Sequence, residues 1–196
     1  MQGDFSSGQS ALPTERPAMH LWDRTQIWKS LPEISYQEVM ESREGLALWL
    51  EMFQRFGIAV MRAVPAAKGQ ILQVVRRFAY VKETSYGVTF DVIAEPDPEH
   101  LAFSAARLHH HTDMNYREKS PGMQLLHCLK SNDVGDAAAA GAGGKSFFVD
   151  GFRAAKWLRE NEAAAFHILT DTPVKFQIKS NGVSGAFAVI YLFNSL

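Results

Sequence analysis

The sequence predicts an α+β fold that is mainly β, with helices flanking the strands. Short apolar runs rich in Val, Ile and Phe, bounded by Gly or Pro, recur along the chain and are typical of strands. Between several of these runs, apolar residues recur at helical spacing. The chain has 196 residues, of which 46% are hydrophobic, so it can bury the core of one domain.

The first half of the chain predicts two helices separated by a strand. Ser35 and Glu38 fit a capping box at the start of the first helix, and Gly57 is suited to end it. A buried strand is predicted over 57–64, and a second helix over 69–79. The first helix carries an aromatic stripe that is typical of core packing rather than of a cofactor site: Trp49, Phe53 and Phe56.

The second half predicts more strand. Strands are expected over 85–93, 123–130, 145–149 and 173–178. An Ala/Gly-rich stretch over 131–144 predicts a surface loop. Asp150 is suited to cap a helix, and a second helical piece follows over 162–169.

Charge, cysteine content and hydropathy exclude several classes of protein. The net charge is −1 and the pI about 6.7, so we expect no nucleic-acid or membrane partner. One cysteine excludes a disulfide framework and a multi-cysteine zinc site. Residues 1–20 predict a flexible leader, and they lack the apolar core of a secretory signal. We expect an intracellular protein, cytoplasmic rather than mitochondrial.

The tripeptide His111-Thr112-Asp113 is the first candidate for chemistry. On an extended strand, residues two apart present their side chains on the same face. An imidazole and a carboxylate side by side are two of the three ligands of a facial-triad iron(II) centre. The tripeptide alone is a weak signal, and a solvent-facing or core histidine is the plainer interpretation.

Three motifs in order make that signal more specific. HTD at 111–113 is followed by PGMQLLHC at 121–128 and by VDGF at 149–152. Over residues 21–178 this set resembles the gamma-butyrobetaine dioxygenase and trimethyllysine dioxygenase family of taurine-dioxygenase-like oxygenases. The resemblance implies an incomplete double-stranded β-helix (jelly roll) with flanking helices. It also implies that iron(II) and the co-substrate 2-oxoglutarate use O2 to hydroxylate a small quaternary ammonium compound, as in carnitine synthesis.

The resemblance also implies roles for individual residues. His111 and Asp113 are the expected iron ligands, and Ser146 is the expected contact to 2-oxoglutarate. The positions of an aromatic cage for the trimethylammonium group are occupied by Tyr86, Phe90 and Phe103. Met114 replaces an aromatic residue of the gamma-butyrobetaine branch. Strand packing is an equally good interpretation of Phe90 and Phe103.

Two residues that the family uses further along the chain have no counterpart here. No histidine follows His167 and no arginine follows Arg159, whereas the family implies a distal histidine ligand and an arginine for 2-oxoglutarate. We therefore expect residues 21–179 to be the N-terminal part of the catalytic domain, followed by an atypical apolar tail at 180–196 without an evident partner. Without counterparts of that histidine and that arginine, the chain is expected to be weakly active or inactive by itself.

Several alternatives stay open. The substrate could be trimethyllysine or that of another taurine-dioxygenase-like hydroxylase, and the chain could be a non-catalytic interaction protein or a homodimer. The stretch AAGAGGKS at 139–146 satisfies a relaxed phosphate-loop pattern, but the expected strand after it argues against nucleotide binding. His127 is interpreted as a satisfied core histidine and Cys128 as an inert packing residue.

Overall fold

The computed structural model describes residues 18–84, 86–93, 109–117, 119–130, 146–180 and 183–190, with only the backbone described from residue 177 onward. Within these ranges the chain forms six helices and four strands. In chain order they are α1 (Arg24–Lys29), β1 (Glu33–Ser35), α2 (Tyr36–Glu41), α3 (Arg43–Phe56), β2 (Val60–Arg62), α4 (Gln70–Arg76), α5 (Gly151–Asn161), α6 (Ala163–Asp171), β3 (Val174–Ser180) and β4 (Val183–Ile190).

The predicted capping box is confirmed at the start of α2. The backbone N–H of Glu38 donates to Ser35 Oγ over 3.1 Å, and the backbone N–H of Ser35 donates to Glu38 Oε2 over 3.2 Å. The bonds that Ser35 makes to the carboxylate, first from its side chain and then from its backbone, lower the pKa of Glu38. Both bonds favour the charged carboxylate, so the cap is strongest when Glu38 is ionised.

The first predicted helix is interrupted once, at Ser42. Its backbone is extended, with φ −120° and ψ 152°, and its Oγ accepts the N–H of Gly45 over 2.7 Å. The sequence predicted one continuous helix, because the apolar spacing runs across Ser42 without a break. A Cβ at Gly45 would lie 2.3 Å from the carbonyl oxygen of Glu38, so only glycine allows α2 and α3 to approach this closely. Gly57, in the left-handed conformation at φ 69°, ends α3 as predicted.

The core lies between these helices and a small parallel sheet in which β1 pairs with β2. Its buried residues are Ile34, Val39, Trp49 and Val74. Trp49 meets Phe78 edge-on, with the ring centroids 5.5 Å apart. The aromatic stripe is therefore core packing at Trp49, as predicted, and partly buried Leu125 from the second half of the chain packs against the same cluster.

Helix α5 is joined to the front of the chain by its capping residue. Asp150 Oδ1 accepts the N–H of Arg153 over 3.0 Å, which confirms the predicted cap. Asp150 Oδ2 accepts the N–H of Trp22 over 2.9 Å, and Trp22 Nε1 in turn donates to the carbonyl of Phe56 over 2.7 Å. One carboxylate thus starts a helix and connects two distant parts of the sequence.

The apolar tail has a partner in its first part. β4 pairs with β3 in an antiparallel ladder, with an irregularity between Gln177 and Lys179. The expectation that this stretch lacks a partner is wrong for Val183–Ile190. The predicted strand over 173–178 is confirmed as part of β3.

Three other predicted strands are absent from the described residues. Residues 86–93, 119–130 and 146–149 are irregular, apart from one bridge between Thr84 and Gly87. A run of strand-forming residues becomes a strand only when a neighbouring strand satisfies its backbone groups, and the described part of the chain offers none there. Helices and strands are both present, as predicted, but in these ranges helix outweighs strand. The Ala/Gly stretch at 131–144 and residues 1–17 of the leader lie outside the described residues.

No helix in the described part of the chain is long and apolar enough to cross a membrane.

Candidate functional site

The candidate metal ligands lie at the start of a turn rather than on the predicted strand. Asp113–Tyr116 form the turn, in which Met114 adopts the left-handed conformation at φ 60°. The N–H of Arg117 donates to the carbonyl of Met114 over 3.0 Å and closes it. The extended backbone on which the same-face argument for His111 and Asp113 depended is not formed, since Met114 has a positive φ directly after Asp113.

The turn nevertheless brings the two predicted ligands together. His111 Nε2 lies 3.4 Å from Asp113 Oδ1, and both side chains are about half exposed, at 52% and 45%. An ion pair this exposed contributes little to stability. Two ligand atoms about 2.1 Å from a metal ion and at right angles lie roughly 3 Å apart. The observed spacing therefore suits two adjacent positions on one metal ion.

The second ring nitrogen of His111 and the second carboxylate oxygen of Asp113 each contact another residue. His111 Nδ1 lies 2.6 Å from the carbonyl oxygen of His109. A carbonyl only accepts, so Nδ1 is the donor in this contact, and in the neutral imidazole the lone pair then lies on Nε2. Asp113 Oδ2 accepts the amide N–H of Gln124 over 2.7 Å. Metal-binding imidazoles and carboxylates in proteins are typically fixed in this manner, so these residues fit a metal ion.

The pair offers two candidate metal ligands. No group of three or more His, Cys, Asp or Glu side chains that could hold a metal lies within residues 18–84, 86–93, 109–117, 119–130 and 146–180. His111 and Asp113 would thus occupy two of the three protein positions of a facial triad.

An aromatic pair adjoins the carboxylate. The rings of Tyr86 and Phe90 have their centroids 5.7 Å apart, and Tyr86 hydrogen-bonds to Tyr116 in the turn. Burial raises the pKa of Tyr86, and the neighbouring Tyr116 and the negative charge of Asp113 raise it further, against a smaller opposing effect of Arg117. Tyr86 is therefore a neutral phenol at pH 7. The side chain of Phe90 is half exposed.

The other predicted site residues are not brought to this place. Phe103 lies outside the described residues. Ser146 is exposed on the irregular stretch before α5, and no hydrogen bond within the described residues joins it to His111 or Asp113. The sequence missed Tyr116 and Gln124. Tyr116 could have been found from its place three residues after Asp113 in a turn, whereas Gln124 carries no comparable local signal.

Two assignments next to the site are corrected. His127 is only half-buried, and its Nε2 has no hydrogen-bond partner among the described residues, so it is not a satisfied core histidine. Cys128 is exposed, so it is not a packing residue. His127 was assigned from a predicted strand over 123–130, which these residues do not form, and Cys128 from the lack of a cationic neighbour in sequence.

The sequence profile described as "Taurine catabolism dioxygenase TauD, TfdA family" matches residues 22–186. Among curated proteins, the chain is 37% identical over 164 residues to gamma-butyrobetaine dioxygenase of Pseudomonas sp. (strain AK-1), covering 84% of this chain and 40% of that protein. It is 31% identical over 154 residues to gamma-butyrobetaine dioxygenase of Homo sapiens, covering 77% and 38%.

A second group of relatives has a different named substrate. The chain is 30% identical over 151 residues to the mitochondrial trimethyllysine dioxygenase of Rattus norvegicus, covering 77% of this chain and 34% of that protein. The chain therefore spans no more than about 40% of the length of these relatives.

Proposed function

Because the chain belongs to the TauD/TfdA family of dioxygenases, we propose that it forms part of an iron(II)- and 2-oxoglutarate-dependent hydroxylase acting on a trimethylammonium compound. The proposed reaction is the conversion of gamma-butyrobetaine to carnitine. The observation that carries the proposal is the 3.4 Å approach of His111 Nε2 to Asp113 Oδ1, with the outer atoms of both side chains already bonded. In this arrangement Nε2 and Oδ1, which can both bind a metal ion, lie side by side.

The residues of the chain have separate roles in this proposal. When bound, iron(II) and 2-oxoglutarate supply the activation of O2 that hydroxylation of a C–H bond requires. His111 and Asp113 hold the metal, and His109 fixes the tautomer of His111 through its carbonyl. The contact of Ser146 to the carboxylate of 2-oxoglutarate rests on its position after the Gly-Gly pair.

The aromatic pair beside the candidate metal ligands supports the proposed substrate class. A trimethylammonium group is attracted to the faces of aromatic rings, and the rings of Tyr86 and Phe90 lie 5.7 Å apart. The negative charge of Asp113 is one of the lesser causes that raise the pKa of Tyr86, after burial and Tyr116, and a negative charge near the rings favours a cation. Phe103 is assigned to the cage by the family resemblance and lies outside the described residues.

Trimethyllysine is the second candidate substrate. It carries the same trimethylammonium group, and relatives with this named substrate match the chain at about the same identity. Met114, where the gamma-butyrobetaine branch has an aromatic ring, removes one feature that would favour gamma-butyrobetaine. The two candidates differ in the groups beyond the ammonium.

A nuclear magnetic resonance experiment tests whether the metal and ammonium sites adjoin. Bound Mn²⁺ should broaden the N-methyl signal of gamma-butyrobetaine, and that of trimethyllysine if both bind, because the cage adjoins Asp113. The control is tert-butanol, which has a similar shape without the charge. Equal broadening of the ammonium compounds and the alcohol would contradict the proposed site.

A turnover assay tests the consequence of a site in which the described residues bring two candidate ligands together. With iron(II), 2-oxoglutarate and gamma-butyrobetaine, the 196-residue polypeptide should form succinate at or near the background rate, because two ligands hold the metal weakly. Robust succinate formation that disappears in the Asp113→Ala variant would show instead that these residues suffice.

A further inference from the structure

Gln124 makes the hydrogen bond that separates the two oxygens of Asp113. Its Nε2 donates to Oδ2 over 2.7 Å, while Oδ1 faces His111 Nε2 at 3.4 Å. A carboxylate without such a partner rotates and presents either oxygen, or both, to a metal ion. Because Oδ2 accepts the bond from Gln124, Oδ1 is the oxygen that remains available to a metal ion beside the imidazole of His111.

The place of Gln124 is fixed by its neighbour in sequence. Leu125 is partly buried and packs against the cluster that contains Trp49 and Val39. Along 123–127 the exposure alternates, so Gln124 and Leu126 are exposed and Leu125 is not. The contact of Leu125 with the core therefore anchors the segment next to Gln124, whose own side chain is exposed and bonded to Asp113.

Within the part of the chain that the structure describes, Asp113 has no comparable attachment to the core. It lies in a turn that is closed by its own backbone and by a 2.8 Å hydrogen bond from Thr112 Oγ1 to Asn115 Oδ1. The bond from Gln124 spans 11 residues and connects this turn to a segment that is anchored in the core. Removing it would leave the turn intact but free the carboxylate.

We propose that Gln124 is a positioning residue, which orients Asp113 so that Oδ1 and not Oδ2 binds the metal ion. This inference rests on the proposed function, since it requires His111 and Asp113 to be metal ligands. Side chains that orient a metal ligand typically change metal affinity 10- to 100-fold when they are lost. Because Gln124 is exposed and water can replace part of its bond, we expect the lower end, about tenfold.

Cobalt(II) titration of the 196-residue chain, followed by visible absorption, tests the inference. Gln124→Met keeps the length of the side chain and removes its N–H, and it should weaken Co²⁺ binding about tenfold. It should also change the absorption bands of the saturated complex, because Asp113 can then offer both oxygens. A role in folding alone would leave those bands unchanged.

Gln37→Met is the matched control. Gln37 Nε2 donates to Glu41 Oε2 over 3.0 Å, which is the same amide-to-carboxylate bond on the exposed side of α2. This variant should bind Co²⁺ as the unmodified chain does. Thermal unfolding of both variants shows whether the chain stays folded.

The outcomes separate the two claims. If Co²⁺ binding is the same in the unmodified chain, His111→Ala and Asp113→Ala, or is absent from all three, the proposed metal site is wrong and the role of Gln124 with it. If His111→Ala and Asp113→Ala lose binding while Gln124→Met keeps both affinity and spectrum, only the role of Gln124 is overturned. A loss of affinity and a spectral change in Gln124→Met, but not in Gln37→Met, support it.

Discussion

The helical core (residues 33–78) and the site segment (residues 109–130) are held together in different ways. The core has capped helices, a glycine that allows close helix contact, and buried side chains such as Val39, which is 0% exposed. The site segment is irregular where described, and it is held by exposed hydrogen bonds such as Gln124 to Asp113, Thr112 to Asn115, and Lys82 to the carbonyl of Lys119. The residues that stabilise the fold are therefore largely distinct from the candidate metal ligands, and Leu125 is one contact between the two regions.

The largest expected effect comes from breaking the core. Trp49 is only 5% exposed, so Trp49→Ala should lower the free energy of unfolding by about 3–5 kcal/mol, as measured by urea denaturation. Trp49 Nε1 is buried without a hydrogen-bond partner among the described residues. Trp49→Phe should therefore cost much less, because it removes an unsatisfied donor and keeps an aromatic ring.

If the two regions are separate, folded Trp49→Phe should bind Co²⁺ as the unmodified chain does. If this variant lost both stability and Co²⁺ affinity, the helical core and the site segment would be coupled rather than separate.

A smaller effect is expected in the site, with no effect on folding. Tyr86→Leu removes an aromatic face beside Asp113 and should weaken the binding of gamma-butyrobetaine by about 1 kcal/mol, or roughly fivefold in Kd. Isothermal calorimetry measures this change. Tyr86→Phe keeps the ring and loses only the bond to Tyr116, so it should retain most of the affinity. Equal losses in the two variants would show that the hydroxyl, and not the ring, binds the ligand.

The smallest expected effect is a pH dependence of the free energy of unfolding, which arises from the helix cap in the helical core. The pKa of Glu38 is lower in the folded chain than in the unfolded chain, mainly because of the Ser35 side chain. The cap therefore contributes fully above the ordinary pKa range of a carboxyl group, and its contribution is lost as the pH falls through the lowered pKa.

Urea midpoints measured from neutral to acidic pH check this dependence. Ser35→Ala should lose more stability at pH 7 than at pH 3, whereas Ser35→Thr keeps the hydroxyl and should behave as the unmodified chain. An equal loss for Ser35→Ala at both pH values would contradict the assigned role of Glu38.

Local signals predicted the core better than the site. Ser35, Gly57 and Asp150 act within a few residues of themselves, so their capping roles can be read from the sequence. The break at Ser42 was not predicted, because one continuous helix and two helices divided at Ser42 would show the same apolar spacing.

The site depends on contacts that spacing does not encode. His111 and Asp113 were predicted to face each other along a strand, and they do approach, but through a turn that requires a left-handed Met114. Methionine gives no local signal for that conformation. The bond from Gln124 crosses 11 residues, and strand composition at 123–130 could not show whether a partner strand is present.

Manganese(II) binding, followed by the electron paramagnetic resonance signal of the free ion, tests whether His111 and Asp113 bind a metal ion. We expect the chain to bind one Mn²⁺, His111→Ala and Asp113→Ala each to abolish this binding, and the neighbouring variant His110→Ala to leave it unchanged. Undiminished Mn²⁺ binding in the His111→Ala/Asp113→Ala double variant, or an equal loss in His110→Ala, would contradict the assignment of this pair as metal ligands.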